Sequence, residues 1–226
     1  MTTEEPDFPQ VRFRRPPGAS QLLLIRHGAS ASAKESEPFP LVGGQGDPEL
    51  AEEGRTQAEL LARRLAEENE AEPLSAVYIT PLRRTAQTAA PLTRALGITP
   101  EVEPDLREVH LGEWEGGLFR KHVAENHPVT QRLATEQRWD VIPGAEPNER
   151  FAARVKAAIE RIAAAHVDQR VAVFTHGGVI GQAIALASGS SALTFVGADN
   201  SSISELVLMG ERWLVRRFND AAHLGP

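Results

Sequence analysis

Three short, continuous apolar runs constrain the fold of this chain more than any other feature. The runs are QLLLI (21–25), SAVYI (75–79) and RVAVF (170–174). A strand with one solvated face alternates apolar and polar residues, whereas a continuous run of this length is typical of a strand buried on both faces in a parallel sheet. Each run is followed by a helix-like segment. The sequence therefore predicts an α/β fold, a three-layer α/β/α sandwich around a mostly parallel central sheet.

Apolar periodicity predicts two long helices between the runs. In residues 47–70, Ala58, Leu61 and Leu65 recur at helical spacing with charged residues between them. Residues 146–166 show one apolar stripe at the same spacing, formed by Phe151, Val155, Ile159 and Ile162. Such stripes are typical of helices that pack one face against a sheet.

The segment after the second run carries helix start and stop signals. Thr80 can cap a helix, Pro81 suits its first position, and Gly97 can end it. Pro91 lies inside the segment and predicts a kink or a division of that helix, because proline lacks the N–H of an internal helical bond.

The end of the chain predicts a hairpin. Residues 202–209 and 212–219 are strand-like and flank Gly-Glu at 210–211, so we expect them to pair at a sheet edge. That edge could pair across a dimer axis, which makes a homodimer possible. We interpret residues 1–18 as a loosely ordered tail and residues 19–226 as one domain, with a helical lid around 116–147.

Composition excludes several classes of function. The 24 Lys and Arg residues against 31 Asp and Glu give a net charge of −7, which argues against generic binding to nucleic acid or to an anionic membrane. The absence of cysteine excludes disulfides, thiolate metal sites and cysteine catalysis. Neither a signal-peptide pattern nor a long apolar stretch occurs, so we expect a cytoplasmic protein without a membrane segment.

Polar residues with a common chemistry follow the three runs. Arg26 and His27 come after the first run, Arg83 and Arg84 follow the second, and His176 and Gly177 follow the third. Ligands of open α/β sheets bind at the carboxyl ends of the strands, so we expect these groups to converge on one cavity. Helix N-termini at the same edge add N–H donors for an anion. Histidines and arginines together predict a phosphate site.

Four ordered motifs carry a resemblance to a known family. LIRHGAS, TPLRRTAQTA, LREVHLGEWEG and FTHGGVI occur in this order, and NDAAHL follows near the end. Together they resemble the histidine phosphatase superfamily, which has the phosphoglycerate-mutase-like fold. The resemblance covers the chain from about residue 20 to residue 223.

The resemblance implies roles for five residues. His27 corresponds to the nucleophile that becomes a phosphohistidine, and attack requires a neutral imidazole, which neighbouring arginines favour. Arg26, Arg84 and His176 are expected to hold the phosphoryl oxygens. Glu108 corresponds to the family's proton donor. Arg84 rather than Arg83 takes the arginine role because it directly precedes the small residue of the motif.

The first loop departs from the commoner family pattern. Ala29 and Ala33 stand where many members have polar residues, so the loop contacts to phosphate are expected to be fewer. Four weaker candidates for substrate binding remain in and near the motifs, namely Ser30, Gln45, Gly46 and Gly177.

No metal or cofactor is expected. His122 and His127 are five residues apart, about 140° around a helix, so they do not share a face as zinc-binding histidines four residues apart would. We interpret both as surface residues. No glycine-rich segment follows a strand with the spacing of a nucleotide-binding loop.

The resemblance leaves three functions to separate. Mutases of the family carry a long insertion between the acid and the second histidine, whereas 68 residues separate Glu108 from His176 here. We therefore expect a metal-independent phosphomonoester hydrolase that acts on a small phosphorylated metabolite. A phosphoglycerate-type mutase and a catalytically weak phosphate-binding scaffold are the alternatives, and neither nucleic acid nor membrane is expected as a partner.

The predicted lid carries cations with an open role. They could read a second anionic group of the substrate, although solvated helix charges are our preferred interpretation for Arg120, Lys121, Arg132 and Arg138. Trp114 and Trp139 could line an apolar pocket, and we favour a packing role for both.

Overall fold

The computed structural model of the chain describes residues 7–225. Six strands form its main sheet, namely β1 (Ser20–Arg26), β4 (Leu74–Ile79), β5 (Glu101–Val102), β6 (Arg170–Thr175), β7 (Ile203–Met209) and β8 (Arg212–Asp220). A separate two-stranded hairpin contains β2 (Leu41–Val42) and β3 (Gln45–Gly46). The helices are α1 (Glu52–Ala71), α2 (Arg83–Leu96), α3 (Leu118–Ala124), α4 (Pro128–Glu136), α5 (Asn148–Ala165) and α6 (Gly177–Ser188).

The sheet has the order β5-β4-β6-β1-β7-β8. The strands β5, β4, β6 and β1 run parallel, whereas β7 is antiparallel to β1 and β8 is antiparallel to β7. The three apolar runs are β1, β4 and β6, which lie side by side in the sheet. The predicted mixed sheet with mostly parallel strands is confirmed.

Side chains of β1 divide between the two faces of the sheet. Leu22 and Leu24 belong to the apolar cluster that includes α5 and α6, whereas Leu23 and Ile25 belong to the cluster with α1 and α2. All four are fully buried. Burial on both faces explains why β1 is continuously apolar, and it confirms the three-layer arrangement.

The start of α2 differs from the prediction. The helix begins at Arg83 after Leu82, and the carboxylate of Asp47 accepts a hydrogen bond from the backbone N–H of Arg83 at 2.8 Å. Thr80 instead directs its hydroxyl to Thr85 and His176, at 3.1 and 3.0 Å. Gly97 ends the helix with φ of 66°, as predicted.

Pro91 does not divide α2, which runs continuously from Arg83 to Leu96. A proline removes one internal hydrogen bond, while Ala89 and Leu92 on the same helix are buried against the sheet. Burial of this apolar face maintains the helix through the proline.

The predicted hairpin at the end of the chain is present. β7 and β8 pair in an antiparallel register across Gly210 and Glu211, and β8 is the edge strand. Pairing of this edge with a second copy stays a prediction.

Residues 7–18 contain neither helix nor strand, and residues 1–6 of the predicted tail lie outside the described residues. Arg15 donates hydrogen bonds to Gln21 and to the carbonyl of Asp168. The loose order of this tail stays a prediction.

Helices also occur where the lid was predicted. The segment 116–147, which we call the lid segment, contains α3, α4 and a 3₁₀ turn at Trp139–Val141. Within residues 7–225, every helix is too short or too polar to cross a membrane.

Candidate active site

Four predicted site residues meet at the carboxyl ends of β1, β4 and β6, and we call them the floor: Arg26, His27, Arg84 and His176. Arg26 ends β1, Arg84 is the second residue of α2, and His176 joins β6 to α6. Their side chains are withdrawn from solvent, with exposures of 6% for His27, 7% for Arg84 and 0% for His176.

The ring of His27 is held with one nitrogen free. Its Nδ1 lies 2.8 Å from the carbonyl oxygen of Gly28. A carbonyl can only accept, so Nδ1 carries the proton and Nε2 keeps an unshared electron pair. Burial lowers the pKa of His27 well below its ordinary value, and the positive charges of Arg84 and Arg26 lower it further. His27 is therefore neutral near physiological pH.

His176 packs against His27, with ring centroids 5.3 Å apart in an edge-to-face arrangement. Its Nε2 lies 3.0 Å from the hydroxyl of Thr80. Its Nδ1 is buried and has no partner among residues 7–225. Burial lowers the pKa of His176 well below its ordinary value, and the nearby Arg84 adds to this. One ring nitrogen is thus anchored and the other is available.

The two floor arginines are held by backbone carbonyls. Arg26 donates from Nη1 to the carbonyl of Ala198, and Arg84 donates from Nη1 to the carbonyl of Gly46 at 2.9 Å. Within residues 7–225, neither guanidinium forms an ion pair with a carboxylate. Burial lowers the pKa of Arg84 to about 10, against the opposing effect of Glu108. Both guanidinium groups are desolvated, and their positive charge is not neutralised by an ion pair within residues 7–225. They therefore favour an anion between them.

Glu108 lies on the wall of the same cavity. Its carboxylate accepts hydrogen bonds from the backbone N–H groups of Val109 at 3.0 Å and Gly178 at 3.2 Å. A Cβ on Gly178 would collide with Oε1 of Glu108. The glycine after Gly177 therefore permits the approach of the carboxylate to the start of α6.

Arg154, on α5, clamps the segment that carries Glu108. Its guanidinium donates to the carbonyls of Asp105, Arg107 and Glu108 at 2.5 to 2.9 Å. The same guanidinium pairs with the carboxylate of Glu146 at 2.8 Å. Sequence reasoning missed Arg154, because a single arginine beside an apolar stripe carries no signal of its inward contacts.

A second missed element lies just before β7. The side-chain amide of Asn200 donates to the carbonyl of His27 at 2.8 Å, and the N–H of Ser201 donates to the carbonyl of Arg26 at 3.0 Å. These contacts join parts of the chain more than 170 residues apart. No pattern in the sequence indicates them.

The four weaker candidates are placed differently. Gln45 and Gly46 line the cavity, and the amide of Gln45 donates to the carbonyl of Glu108 at 2.5 Å. Gly177 is the first residue of α6 and lies against the side chain of Arg26. The hydroxyl of Ser30 accepts a hydrogen bond from Arg120 at 2.7 Å.

The cavity has a volume of about 230 Å³ and unites the floor with the lid segment. Arg26, His27, Arg84 and Glu108 contribute to its wall. Four aromatic side chains contribute as well, namely Phe39, Trp114, Phe119 and Trp139. The two tryptophans are buried in the core and also contribute to this wall, so the packing role and the lining role both apply.

His122 and His127 lie closer together than predicted. Their ring centroids are 4.6 Å apart, and both rings pack against Trp114. Contrary to the sequence-based expectation, the two residues do not lie on one helix, because His127 lies beyond the end of α3 and caps α4. Their interpretation as surface residues stays a prediction. Among residues 7–225, no group of three or more potential metal ligands is clustered.

The comparisons with known proteins identify the family. The model of the histidine phosphatase superfamily (branch 1) matches residues 22–221. The chain belongs to this superfamily.

Individual members of the family also match the chain over most of its length. The chain is 31% identical over 210 residues to the metal-independent phosphoserine phosphatase of Arabidopsis thaliana, covering 91% of this chain and 83% of the relative. It is 30% identical over 209 residues to phosphoglycerate mutase-like protein 4 of the same plant, covering 91% and 87%.

A solved structure supports the same conclusion. The mycobacterial glucosyl-3-phosphoglycerate phosphatase superimposes with a TM-score of 0.72 at 28% identity, covering 89% of this chain and 99% of that one. The expected fold and an enzyme of the histidine phosphatase type are thereby confirmed. The relatives named as phosphatases support the expected phosphatase, and the relative named as mutase-like supports the mutase alternative.

Proposed function

We propose that this histidine phosphatase hydrolyses a small phosphomonoester through a phosphohistidine formed on His27. The observation that carries the proposal is the arrangement of His27. Its Nδ1 is bound to the carbonyl of Gly28 and its pKa is lowered, so Nε2 is unprotonated. It lies beside two arginines that form no ion pair with a carboxylate among residues 7–225. A neutral imidazole can attack phosphorus, and the positive charges of Arg26 and Arg84 can stabilise a bound phosphate dianion.

In the first step, Nε2 of His27 attacks phosphorus. The N–P bond forms as the bond from phosphorus to the ester oxygen breaks, and the leaving oxygen takes a proton from Glu108. Arg26, Arg84 and the free nitrogen of His176 hold the phosphoryl oxygens while charge spreads over them. The alcohol then leaves.

In the second step, water attacks the phosphohistidine. The carboxylate of Glu108 takes a proton from this water as the new P–O bond forms. The N–P bond breaks, and its electron pair returns to Nε2 of His27. Inorganic phosphate leaves and the starting enzyme is restored, so no metal or redox partner enters the balance.

Two substrate-side residues complete the proposal. Gln45 and Gly46 line the cavity next to Glu108, and Gly46 also orients Arg84 through its carbonyl. Ser30 and Gly177 act less directly, since Ser30 binds Arg120 and Gly177 supports the side chain of Arg26.

The mutase alternative rests on the relative named as phosphoglycerate mutase-like. A mutase must retain the phosphoryl group and return it to a second hydroxyl. The interval of 68 residues between Glu108 and His176 provides α3, α4 and α5, without the longer enclosing insertion expected of a mutase. Water as the acceptor is therefore favoured, and transfer between positions of a glycerate without phosphate release would favour the mutase.

The test is a rapid mixing experiment with a ³²P-labelled aryl phosphate. We expect a labelled protein after an alkaline denaturing quench, since a P–N bond is labile in acid, and we expect the label to disappear in His27→Ala. Hydrolysis by this variant should fall by on the order of 10⁴-fold or more. Full hydrolysis by His27→Ala would overturn the proposal.

Light scattering on the same samples tests the predicted homodimer.

A further inference from the structure

The four cations singled out in the lid segment are not equivalent in the structure. Lys121 pairs with Glu35 at 2.8 Å, and Arg132 pairs with Glu136 at 2.7 Å. Arg138 pairs with two carboxylates, Asp140 at 2.6 Å and Glu149 at 3.0 Å. Within residues 7–225, Arg120 has no carboxylate within ion-pair distance. Its positive charge is therefore not neutralised locally.

Arg120 is nevertheless held in a defined position. Its Nη1 donates to the carbonyl of Ala31 at 2.8 Å, and its Nη2 donates to the hydroxyl of Ser30 at 2.7 Å. The guanidinium lies over the ring of Phe39, 5.2 Å from the centroid. Two of five N–H donors are used in these bonds, so three remain for a ligand.

Arg120 lines the same cavity as His27 but at another depth. The floor residues His27, Arg84 and His176 are buried, whereas Arg120 is exposed at the mouth. A phosphoryl group bound at the floor would leave the organic part of the substrate facing the mouth. Arg120 would then meet that organic part and not the phosphorus.

The surroundings of Arg120 favour an anion. Partial desolvation of its guanidinium by the cavity wall lowers the pKa of Arg120, and the positive charge of Arg26 lowers it further, so the group lies near a second cation. Glu115, the other carboxylate on the cavity wall besides Glu108, already accepts two backbone bonds, from Leu111 and Gly46 at 2.8 Å each. The unpaired guanidinium can thus bind an oxyanion without displacing an internal partner.

We propose that Arg120 is the specificity-determining residue of a second anion subsite, which binds the carboxylate of a phosphomonoester at the mouth of the cavity. This inference rests on the proposed function, because it assumes that the phosphoryl group lies on the floor. The substrate class is a small phosphorylated carboxylic acid. Ser30 positions Arg120, because its hydroxyl accepts a hydrogen bond from Nη2 of the guanidinium.

The test compares substrates that differ by one carboxylate. O-Phosphoserine and O-phosphoethanolamine form such a pair, and 3-phosphoglycerate with glycerol 3-phosphate forms another. We expect Arg120→Met to lower kcat/KM by about 10- to 100-fold for the carboxylated member, mainly through KM, and by less than about threefold for its partner. Arg120→Lys should recover part of the loss.

The matched control is Arg132→Met, which removes the same charge from a paired arginine of the lid segment. It should leave the substrate preference unchanged. Equal losses for both members of a pair would assign Arg120 to the phosphoryl group and overturn the subsite, and so would an unchanged preference. Thermal unfolding of each variant separates a loss of fold from a loss of recognition.

A binding measurement separates this inference from the proposed function. In the His27→Ala background, calorimetry should show tighter binding of O-phosphoserine than of O-phosphoethanolamine, and Arg120→Met should remove the difference. If His27→Ala still hydrolysed substrate, the proposed mechanism would fail, but the binding preference at Arg120 would still be decided. Equal binding of the pair by the His27→Ala protein would overturn the subsite alone.

Discussion

The floor and the lid segment hold their charged side chains in different ways. Floor residues such as Arg84 and His176 are buried, and their hydrogen bonds go to backbone carbonyls or to the hydroxyl of Thr80. Lid cations such as Arg132 and Arg138 are closer to solvent and are neutralised by carboxylates of nearby residues or, for Arg138, also by Glu149 of α5. Within residues 7–225, internal hydrogen bonds fix the floor arginines without neutralising their charge, whereas ion pairs neutralise Lys121, Arg132 and Arg138 in the lid segment. Arg120 is the exception among the four lid cations.

The largest expected contrast comes from removing one arginine from each region. Arg84→Met should lower kcat/KM for an aryl phosphate by on the order of 10²- to 10³-fold, because a preorganised charge beside the phosphoryl oxygens is lost. Arg138→Met should change kcat/KM by less than about twofold, since Arg138 forms ion pairs with Asp140 and Glu149. Steady-state kinetics measures both, and similar losses would remove the distinction between floor and lid segment.

The next contrast concerns the leaving group. Glu108→Gln should reduce hydrolysis of an alkyl phosphate by on the order of 10²- to 10⁴-fold, because an alkoxide needs a proton as it departs. A nitrophenolate leaves without help, so the loss for nitrophenyl phosphate should be about tenfold or less. A series of phenyl phosphates would give a steeper dependence on leaving-group pKa in the variant. Parallel slopes for the two proteins would exclude Glu108 as the acid.

Gly178→Ala tests how the wall positions this acid. The new Cβ would collide with Oε1 of Glu108 and lie 3.5 Å from Cζ2 of Trp139, so the carboxylate must move. We expect a loss of about tenfold for alkyl phosphates and a smaller one for nitrophenyl phosphate. In the double variant with Glu108→Gln, the glycine substitution should add little further loss. Additive losses would mean that Gly178→Ala acts elsewhere.

The smallest expected effect is on stability against pH. The pKa of His27 is lowered in the folded protein, so below about pH 6.5 the unfolded chain binds a proton that the folded chain does not. The free energy of unfolding therefore falls as the pH is lowered from about 6.5. His27→Gln should reduce this slope by up to about 1.4 kcal/mol per pH unit, as measured by urea unfolding between pH 7.5 and 5.5. Identical slopes would show that His27 titrates normally in the fold.

The part of this molecule that could be predicted from sequence is the part fixed by local patterns. β1, β4 and β6 show as continuous apolar runs because each strand is buried on both faces. The strand β5 has only two residues, Glu101 and Val102, both exposed, and no periodicity can reveal it. The start of α2 was misplaced because the Thr80 hydroxyl bonds with His176, a residue that lies 96 positions away.

The residues of the candidate site also divide into those indicated by local sequence patterns and those set by tertiary contacts. Ordered motifs place His27, Arg84, Glu108 and His176 in one family pattern, and the fold brings them to one edge. Arg154 and Asn200 act through hydrogen bonds to distant backbone carbonyls, so their contacts depend on the finished tertiary structure. For the four lid cations, the sequence shows only that each carries a positive charge. Arg120 differs from Lys121, Arg132 and Arg138 only in the folded protein, where carboxylates lie beside those three.

The antiparallel pairing of β7 with β1 also bears on how the protein is made. The strand that ends at Arg26 is synthesised well before β7, yet one of its two edges pairs with residues 203–209 and the carbonyl of His27 is bound by Asn200. Until the ribosome has added this distant stretch, an apolar strand has an open edge, which is prone to pairing with other chains. His27 therefore reaches its final setting only after residues 200–209 have been synthesised.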